Sequence, residues 1–324
     1  MPSVVGIDIA KHSFDIATLQ ANGKYRTKAK LANDPAGFQV LQQWLLKHSE
    51  AHAWIVMEAT GIYHEALAEW LHGEGFRVCV LNPAQVAHYA RSRLQRVKTD
   101  QVDAKLIAEY GERHQDELPS WQPEPPTIRR LKALVRRLTD LHEIKQMEQN
   151  RLAVTTDAQV QHSIEAVLTH IDQQISATLK AIQDHIDNDP DLRGKRELLT
   201  SIDGIADKTA ALLLAELGDP LRFRNARAIT AFAGLNPKLQ ESGTYKGQTR
   251  ISKMGSARLR AGLYMPALSA LTHNAAIRAL SERLRAKGKS GKQIVCAAMR
   301  KLLHIAYGVL KSGQPFDAER ALAH

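Results

Sequence analysis

The chain has 324 residues, and its 44 lysines and arginines exceed its 34 aspartates and glutamates to leave a formal charge of +10. That length is too great for one ordinary core and implies two or three domains. Its two cysteines, Cys79 and Cys296, make neither a disulfide framework nor a metal-ligand spacing. No run of about eighteen apolar residues offers to span a bilayer, and the N-terminus enters a strand pattern without a signal peptide, so the expectation is a cytoplasmic protein with no membrane partner.

In chain order, Ser3 to Ile9 form a short apolar run that carries Asp8 near its end. A turn at Ala10-Lys11-His12 leads into an alternating segment, Ser13 to Leu19. The pattern predicts a hairpin, with Tyr25 to Leu31 as a third strand. A helix is expected after Asp34-Pro35, a buried strand over Ala53 to Met57 ending at Glu58, a helix over Tyr63 to Leu71, a strand over Phe76 to Leu81 and a helix after Asn82-Pro83. A meander followed by strand–helix alternation implies a mixed sheet covered by helices. Asp8 and Glu58 both fall at C-terminal strand ends, where open α/β sheets place their ligands.

Lys98 to Lys105 holds two further acids, Asp100 and Asp103, among bases. On a helix over Asp100 to Glu112 they share one face and repel unless protonated, solvated or bridged by a cation. Each acid taken singly reads as a surface or capping residue, and Asp100 after Thr99 can simply open its helix. Taken together, four hard oxygen donors without His or Cys suit Mg²⁺ or Mn²⁺ rather than zinc, and such ions serve phosphodiester chemistry.

Gly6-Ile7-Asp8-Ile9-Ala10-Lys11, Met57-Glu58-Ala59-Thr60-Gly61 and Lys98-Thr99-Asp100-Gln101-Val102-Asp103-Ala104 together resemble the DEDD transposases of insertion sequence family 110, the Piv-like recombinases. The resemblance implies a ribonuclease H-like, RuvC-like first domain in which Asp8, Glu58, Asp100 and Asp103 form a catalytic metal site for Mg²⁺, with Mn²⁺ as a substitute. Lys98 and Lys105 then read as phosphate contacts flanking the acids.

After a Pro-rich linker from Pro119 to Pro126, Thr127 is the expected N-cap of a long helix. Ile128, Leu131, Leu134, Leu138, Leu141, Ile144 and Met147 recur at threes and fours, and the rhythm resumes after a break at Val154 to Ala158 until Asp189-Pro190 stops it. Two narrow apolar stripes suggest a coiled-coil arm, either an intramolecular hairpin or a dimerising surface.

Leu198 to Gly218 reads as two short helices around Gly204, similar to a helix-hairpin-helix whose turn presents N–H groups to a phosphate. A purely structural hairpin is the plainer alternative. The Gly- and Pro-rich stretch from Ala231 to Gly255 is expected to be loop-rich between helices, and the Ser242-Gly243 pair is ordinarily a turn former. The same stretch, however, resembles the C-terminal domain of this transposase family, where the matching serine is the nucleophile, so the resemblance assigns that role to Ser242. Where the family commonly has Gly-Asn before a Leu-Arg pair, this chain has Gly255-Ser256 before Leu259-Arg260. A serine hydroxyl needs a base, a metal or a positive field, and Lys246, Arg250, Lys253, Arg258 and Arg260 would supply the field and clamp the phosphate. The two domains are therefore expected to act on one phosphodiester, within a chain or across an oligomer.

From Lys238 to Lys311 there are fifteen basic residues against two acidic ones, an imbalance that reads as a polyanion-binding surface more readily than as a solvated face. Ala257 to Leu310 should be helical with bases on its polar side, including Arg278, Arg283, Arg285, Arg300 and Lys301. Lys287, Lys289 and Lys292 should lie on an exposed loop that tracks a nucleic-acid backbone.

The fold expected is α/β plus α: residues 1–118 as the RuvC-like domain, 119–190 as linker and coiled-coil arm, and 191–324 as a basic helical transposase domain. The function expected is a DNA transposase or recombinase working through a serine–DNA intermediate. The family resemblance adds a bridge RNA guide and a homo-oligomer, dimer or tetramer. A RuvC-like nuclease or junction resolvase with water as nucleophile, and a non-catalytic nucleic-acid scaffold, are the alternatives.

Overall fold

The computed structural model describes residues 3–50, 52–94, 99–238, 241–242, 245–246 and 250–319. The chain divides into two compact units, Met1–Pro123 and Glu124–His324.

In the first unit, β1 (Val4–Ile9), β2 (Ser13–Leu19) and β3 (Tyr25–Ala32) form an antiparallel meander, and β4 (Trp54–Glu58) and β5 (Arg77–Leu81) add in parallel beside β1. The result is a five-stranded mixed sheet of order β3-β2-β1-β4-β5. Its inner strands are buried on both faces, and alternate residues feed different cores. Val5, Ile7, Ile55 and Met57 pack with Phe38, Leu41 and Leu45 of α1 (Pro35–His48) and Leu67 and Leu71 of α2 (Glu65–Gly73). Val4, Trp54, Val56 and Cys79 pack instead with Val86 of α3 (Pro83–Ser92) and Leu106 and Ile107 of α4 (Asp100–Arg113). This period of two explains why continuous apolar runs mark these strands.

Local chemistry sets the helix starts. Asp34 accepts from Gly37 N at 2.9 Å ahead of Pro35, Asn82 and Gln85 form a capping box, and the Thr99 hydroxyl accepts from Val102 N at 3.3 Å, each satisfying N–H groups the first turn leaves open. Two starts differ from the sequence reading. The α2 helix begins at Glu65 rather than Tyr63, because Tyr63 N and Glu65 N donate to Thr60 O and Ile62 O in a turn that precedes it. The α5 helix (Pro126–Val154) begins before Thr127, with Pro125 at the cap position and Pro126 as its first residue, since proline has no N–H to satisfy and its φ is already helical.

In the second unit, α5 and α6 (Ala158–Asp187) fold back on each other as an antiparallel hairpin. Leu141, Ile171 and Ile175 fill its middle, and the His185 ring donates to Thr127 O at 2.8 Å near its base. The apolar stripes of these two helices thus meet within the chain. The rest is α7 (Pro190–Thr200), α8 (Asp207–Leu217), α9 (Ala226–Phe232), α10 (Ala257–His273), α11 (Ala275–Ala286) and α12 (Gly291–Ser312), packed around one core. Among the described residues, α12 alone is long and apolar enough to cross a membrane. Its Ile294, Met299, Leu302, Leu303 and Val309 are instead buried in that core.

Among its described residues, the stretch expected to be loop between α9 and α10 contains four two-residue strands. Strand β6 (Pro237–Lys238) pairs with β9 (Arg250–Ile251), and β7 (Glu241–Ser242) pairs with β8 (Tyr245–Lys246). Pairs this short leave no alternating run for a sequence pattern to register.

Cys79 is fully buried on β5, and burial pushes its thiol up to about 12. We expect it to resist alkylation in the native protein near neutral pH and to react only on unfolding, whereas half-buried Cys296 reacts first; mass spectrometry after timed iodoacetamide labelling reads both rates.

Candidate functional site

The first unit brings the four sequence-identified acids to one cavity of 620 Å³, whose lining includes Asp8, Glu58, Asp100 and Asp103. Two features of the fold place them there. The parallel register of β1 on β4 runs from Val4↔Trp54 to Ile7↔Met57, so Asp8 and Glu58 follow side by side at the strand ends. The second feature is a close approach of α4 to β1, made possible by glycine. A Cβ on Gly6 would lie 2.3 Å from both Ala104 O and Ala108 N, and one on Gly111 would lie 2.7 Å from Val4 Cγ1. With no side chain at either point, α4 lies directly on the strand and its first turn reaches the strand end. Asp100 and Asp103 belong to that turn, where the helix dipole favours negative charge.

The acids act on one another. Burial first, then Asp103, Asp100, Glu58 and Asp15, push the Asp8 carboxyl up to about 6. Asp15 was not singled out from sequence, although the hairpin puts it directly opposite Asp8 in the β1–β2 register. It is buried, lines the same cavity and accepts from Lys30 N at 2.8 Å. Its signal was available in the alternation of Ser13, Asp15 and Ala17 once the hairpin was drawn. Arg91 of α3 also lines the cavity, and no pattern in the sequence marks it.

All of these donors are carboxylate oxygens, which is the chemistry of a hard divalent cation. A cation would also relieve the repulsion centred on Asp8. Among the described residues no three His, Cys, Asp or Glu side chains stand close enough to enclose an ion. The carboxylates share the cavity and the field, and their rotamers would have to converge to share a metal.

In the second unit Ser242 is the last residue of β7 and pairs with Tyr245. The ribbon is followed by a turn held from both sides. Gly255, with φ 140°, passes so close to α9 that a Cβ there would be 2.2 Å from Phe232 O. Arg260 closes the turn: its Nη1 donates to Ala233 O at 3.0 Å, Gly255 O at 3.1 Å and Ser256 O at 3.3 Å. Ser256, where the resemblance noted in the sequence would have Asn, caps α10 by accepting from Leu259 N at 3.2 Å and donates to Glu216 Oε2 at 3.2 Å. Serine and asparagine are both good N-caps, so the departure keeps the cap.

The proposed nucleic-acid contacts divide accordingly. Lys253, Arg258, Arg285, Lys287, Lys289 and Lys292 are exposed, as is Arg250, while Lys105 is half-buried on α4. Lys292 lies in the first turn of α12 rather than on the expected loop, because Ser290 and Gln293 form a capping box that starts the helix there. Arg260 spends one guanidinium nitrogen inside the protein. Gly204, with φ 101°, packs against α10, where a Cβ would meet Ala270 Cβ at 2.7 Å, so packing accounts for glycine there. Lys98 lies outside the described residues, and the side chains of Ser242 and Lys246 are not described.

Known proteins resemble both units. A transposase family model of the DEDD IS110 type matches residues 5–158, and one for the transposase IS116/IS110/IS902 family matches residues 196–282. The pilin gene-inverting proteins of Moraxella bovis and Moraxella lacunata are each 34% identical to this chain, with 97% of either chain covered. The transposase for insertion sequence element IS1111A of Coxiella burnetii is 23% identical over 83% of this chain and 78% of its own length. With two family models side by side and full-length relatives at this identity, the chain belongs to the IS110 family of transposases.

Proposed function

We propose that this transposase breaks and rejoins DNA strands through a covalent link between Ser242 and a DNA phosphate, with Asp8, Glu58, Asp100 and Asp103 as the ligands of a Mg²⁺ site in a ribonuclease H-like domain. The single observation that carries the reading is the shared cavity, in which three other members of the acid set raise the pKa of Asp8. The sheet order β3-β2-β1-β4-β5, with two acids at adjacent parallel strand ends, supports the domain assignment, and residues 1–118, 119–190 and 191–324 are its proposed functional divisions. A bound divalent cation would supply charge neutralisation at the phosphate and lower the barrier to nucleophile deprotonation.

The chain's own residues carry the rest. The Ser242 oxygen forms a bond to phosphorus as its proton leaves, the bond from phosphorus to a deoxyribose oxygen breaks, and that oxygen takes up a proton. Rejoining reverses these changes with a hydroxyl from a different strand, so phosphodiester energy is conserved. Exposed Arg250, Lys253 and Arg258 provide a positive field beside the serine ribbon. By family resemblance the partners are DNA, a bridge RNA guide and further copies of this chain.

Incubating the protein with a cognate element end and Mg²⁺, then denaturing, should leave a DNA strand attached to the peptide bearing Ser242. Ser242→Ala should lose that adduct and lower strand exchange by about a thousandfold or more. Full exchange by this variant would remove Ser242 from the reaction and leave a nuclease that uses water.

A further inference from the structure

Two buried nitrogens of the second unit, Arg300 Nε and His304 Nε2, have no hydrogen-bond partner. They belong to residues four apart on α12, hence to one face of it. Helix α9 packs against α12, and Asn225, Ala226, Arg227 and His304 line a hollow of 530 Å³ between them. Apart from burial, which acts first, the charges acting on His304 are Arg300, Lys301 and Arg227, all positive, and together they hold its pKa below the usual histidine value.

The rim is already ordered. Tyr307 Oη donates to Phe223 O at 3.0 Å, tying the segment before α9 to α12, and the Arg222 guanidinium lies over the Phe223 and Phe232 rings. Asn225 uses its carbonyl oxygen to accept from Ala228 N at 3.0 Å, which leaves its NH₂ as a donor. An orphaned buried donor costs on the order of 1–3 kcal/mol, and the positive charges of Arg300, Lys301 and Arg227 gather around His304 with no acid among the described residues acting on it. One anion relieves both.

We propose that this hollow seats a backbone phosphate of nucleic acid, bound by Arg227 and Asn225 at the rim and His304 on the wall, with the charge of Arg300, one turn earlier on α12, adding to the attraction. It rests on the reading that this transposase binds nucleic acid. Guanidinium groups match a phosphate in geometry as well as charge, and the exposed Arg227 and Asn225 leave the neighbouring nucleotides outside. The adjoining sequence carries the chain's basic excess, so a polyanion that enters here continues along like-signed protein surface.

Fluorescence anisotropy of a labelled DNA duplex with the full chain, between about 50 and 200 mM salt, tests the seat. Arg227→Ala should weaken binding roughly tenfold and lower the salt slope by about 1, and adding Arg300→Gln should lower it by about 1 more. Arg300→Lys keeps the charge and should recover part of the loss, which a packing role for Arg300 would not give. Arg227 is exposed, so its variant remains a valid test if the Arg300 substitutions unfold. Unchanged affinity and slope in Arg227→Ala would overturn the proposal, as would loss of polyglutamate binding with DNA binding intact. Strand exchange by the wild-type protein reads the proposed chemistry separately.

Discussion

Asp8→Asn should abolish strand exchange, by about a thousandfold or more, and at the same time make the metal-free protein more stable near neutral pH. The two effects have one origin. In the folded chain the Asp8 carboxyl is raised from 3.8 to about 6 by burial and by Asp103, Asp100, Glu58 and Asp15. Between those values the folded protein holds a proton that the unfolded chain has released, so stability falls as pH rises through the window and stays lower above it. A shift of that size corresponds to about 3 kcal/mol in full, which partial exposure and screening reduce to about 1 kcal/mol. Asparagine keeps the shape and removes the charge. Thermal melts of the metal-free proteins should therefore diverge above about pH 6 and converge near pH 4, with the variant higher. Mg²⁺ should stabilise the wild type more than Asp8→Asn. Coincident melting curves across this range would remove the electrostatic account of the cavity, and undiminished exchange would remove Asp8 from catalysis.

Gly6→Ala should also damage activity severely, through an unrelated cause. The added Cβ would lie 2.3 Å from two backbone atoms of α4, Ala104 O and Ala108 N, and backbone cannot rotate away as a side chain can. The helix has to lift from β1, at a cost of about 3 kcal/mol. It takes Asp100 and Asp103 with it, so exchange should fall by about a hundredfold or more even where the variant still folds, since small misplacements of reacting groups are costly. Denaturant titration of the first unit's signal, set beside exchange assayed below the transition, separates lost stability from displaced acids. Wild-type exchange from a variant of unaltered stability would refute the close-packing argument.

The strand and helix order of the first unit was legible because each element there is long enough to show its period and is bounded by residues with a single local reading, such as Asp34-Pro35, Asn82-Pro83 and Thr99. The four acids were legible too, since strand ends and a helix start place them without knowledge of packing. Asp15 was missed because its importance comes from pairing across the hairpin, which is a register rather than a pattern. Arg91 and His304 were missed for a stronger reason: a lone base on a helix says nothing until the facing element is known. Arg260 carried a phosphate role on charge alone, yet the turn at Gly255 needs a donor for three carbonyls. Charge in a sequence does not reveal which donors the fold consumes.

The α5–α6 hairpin is joined to the rest of its unit at one end. Leu131 and Val135 near the start of α5 and Ile182 and Ile186 near the end of α6 belong to the unit's main core, whereas Met147 is 50% exposed and Val154 81% exposed toward the tip. With 29 residues in α5, at about 1.5 Å per residue that helix is about 43 Å long with its buried root included. A structure anchored so can change length without repacking its root: one heptad inserted into each helix opposite the other adds about 10 Å of reach and returns every apolar position to the seam. The arm's reach is thus set by helix length alone, independently of the residues that line the acid cavity.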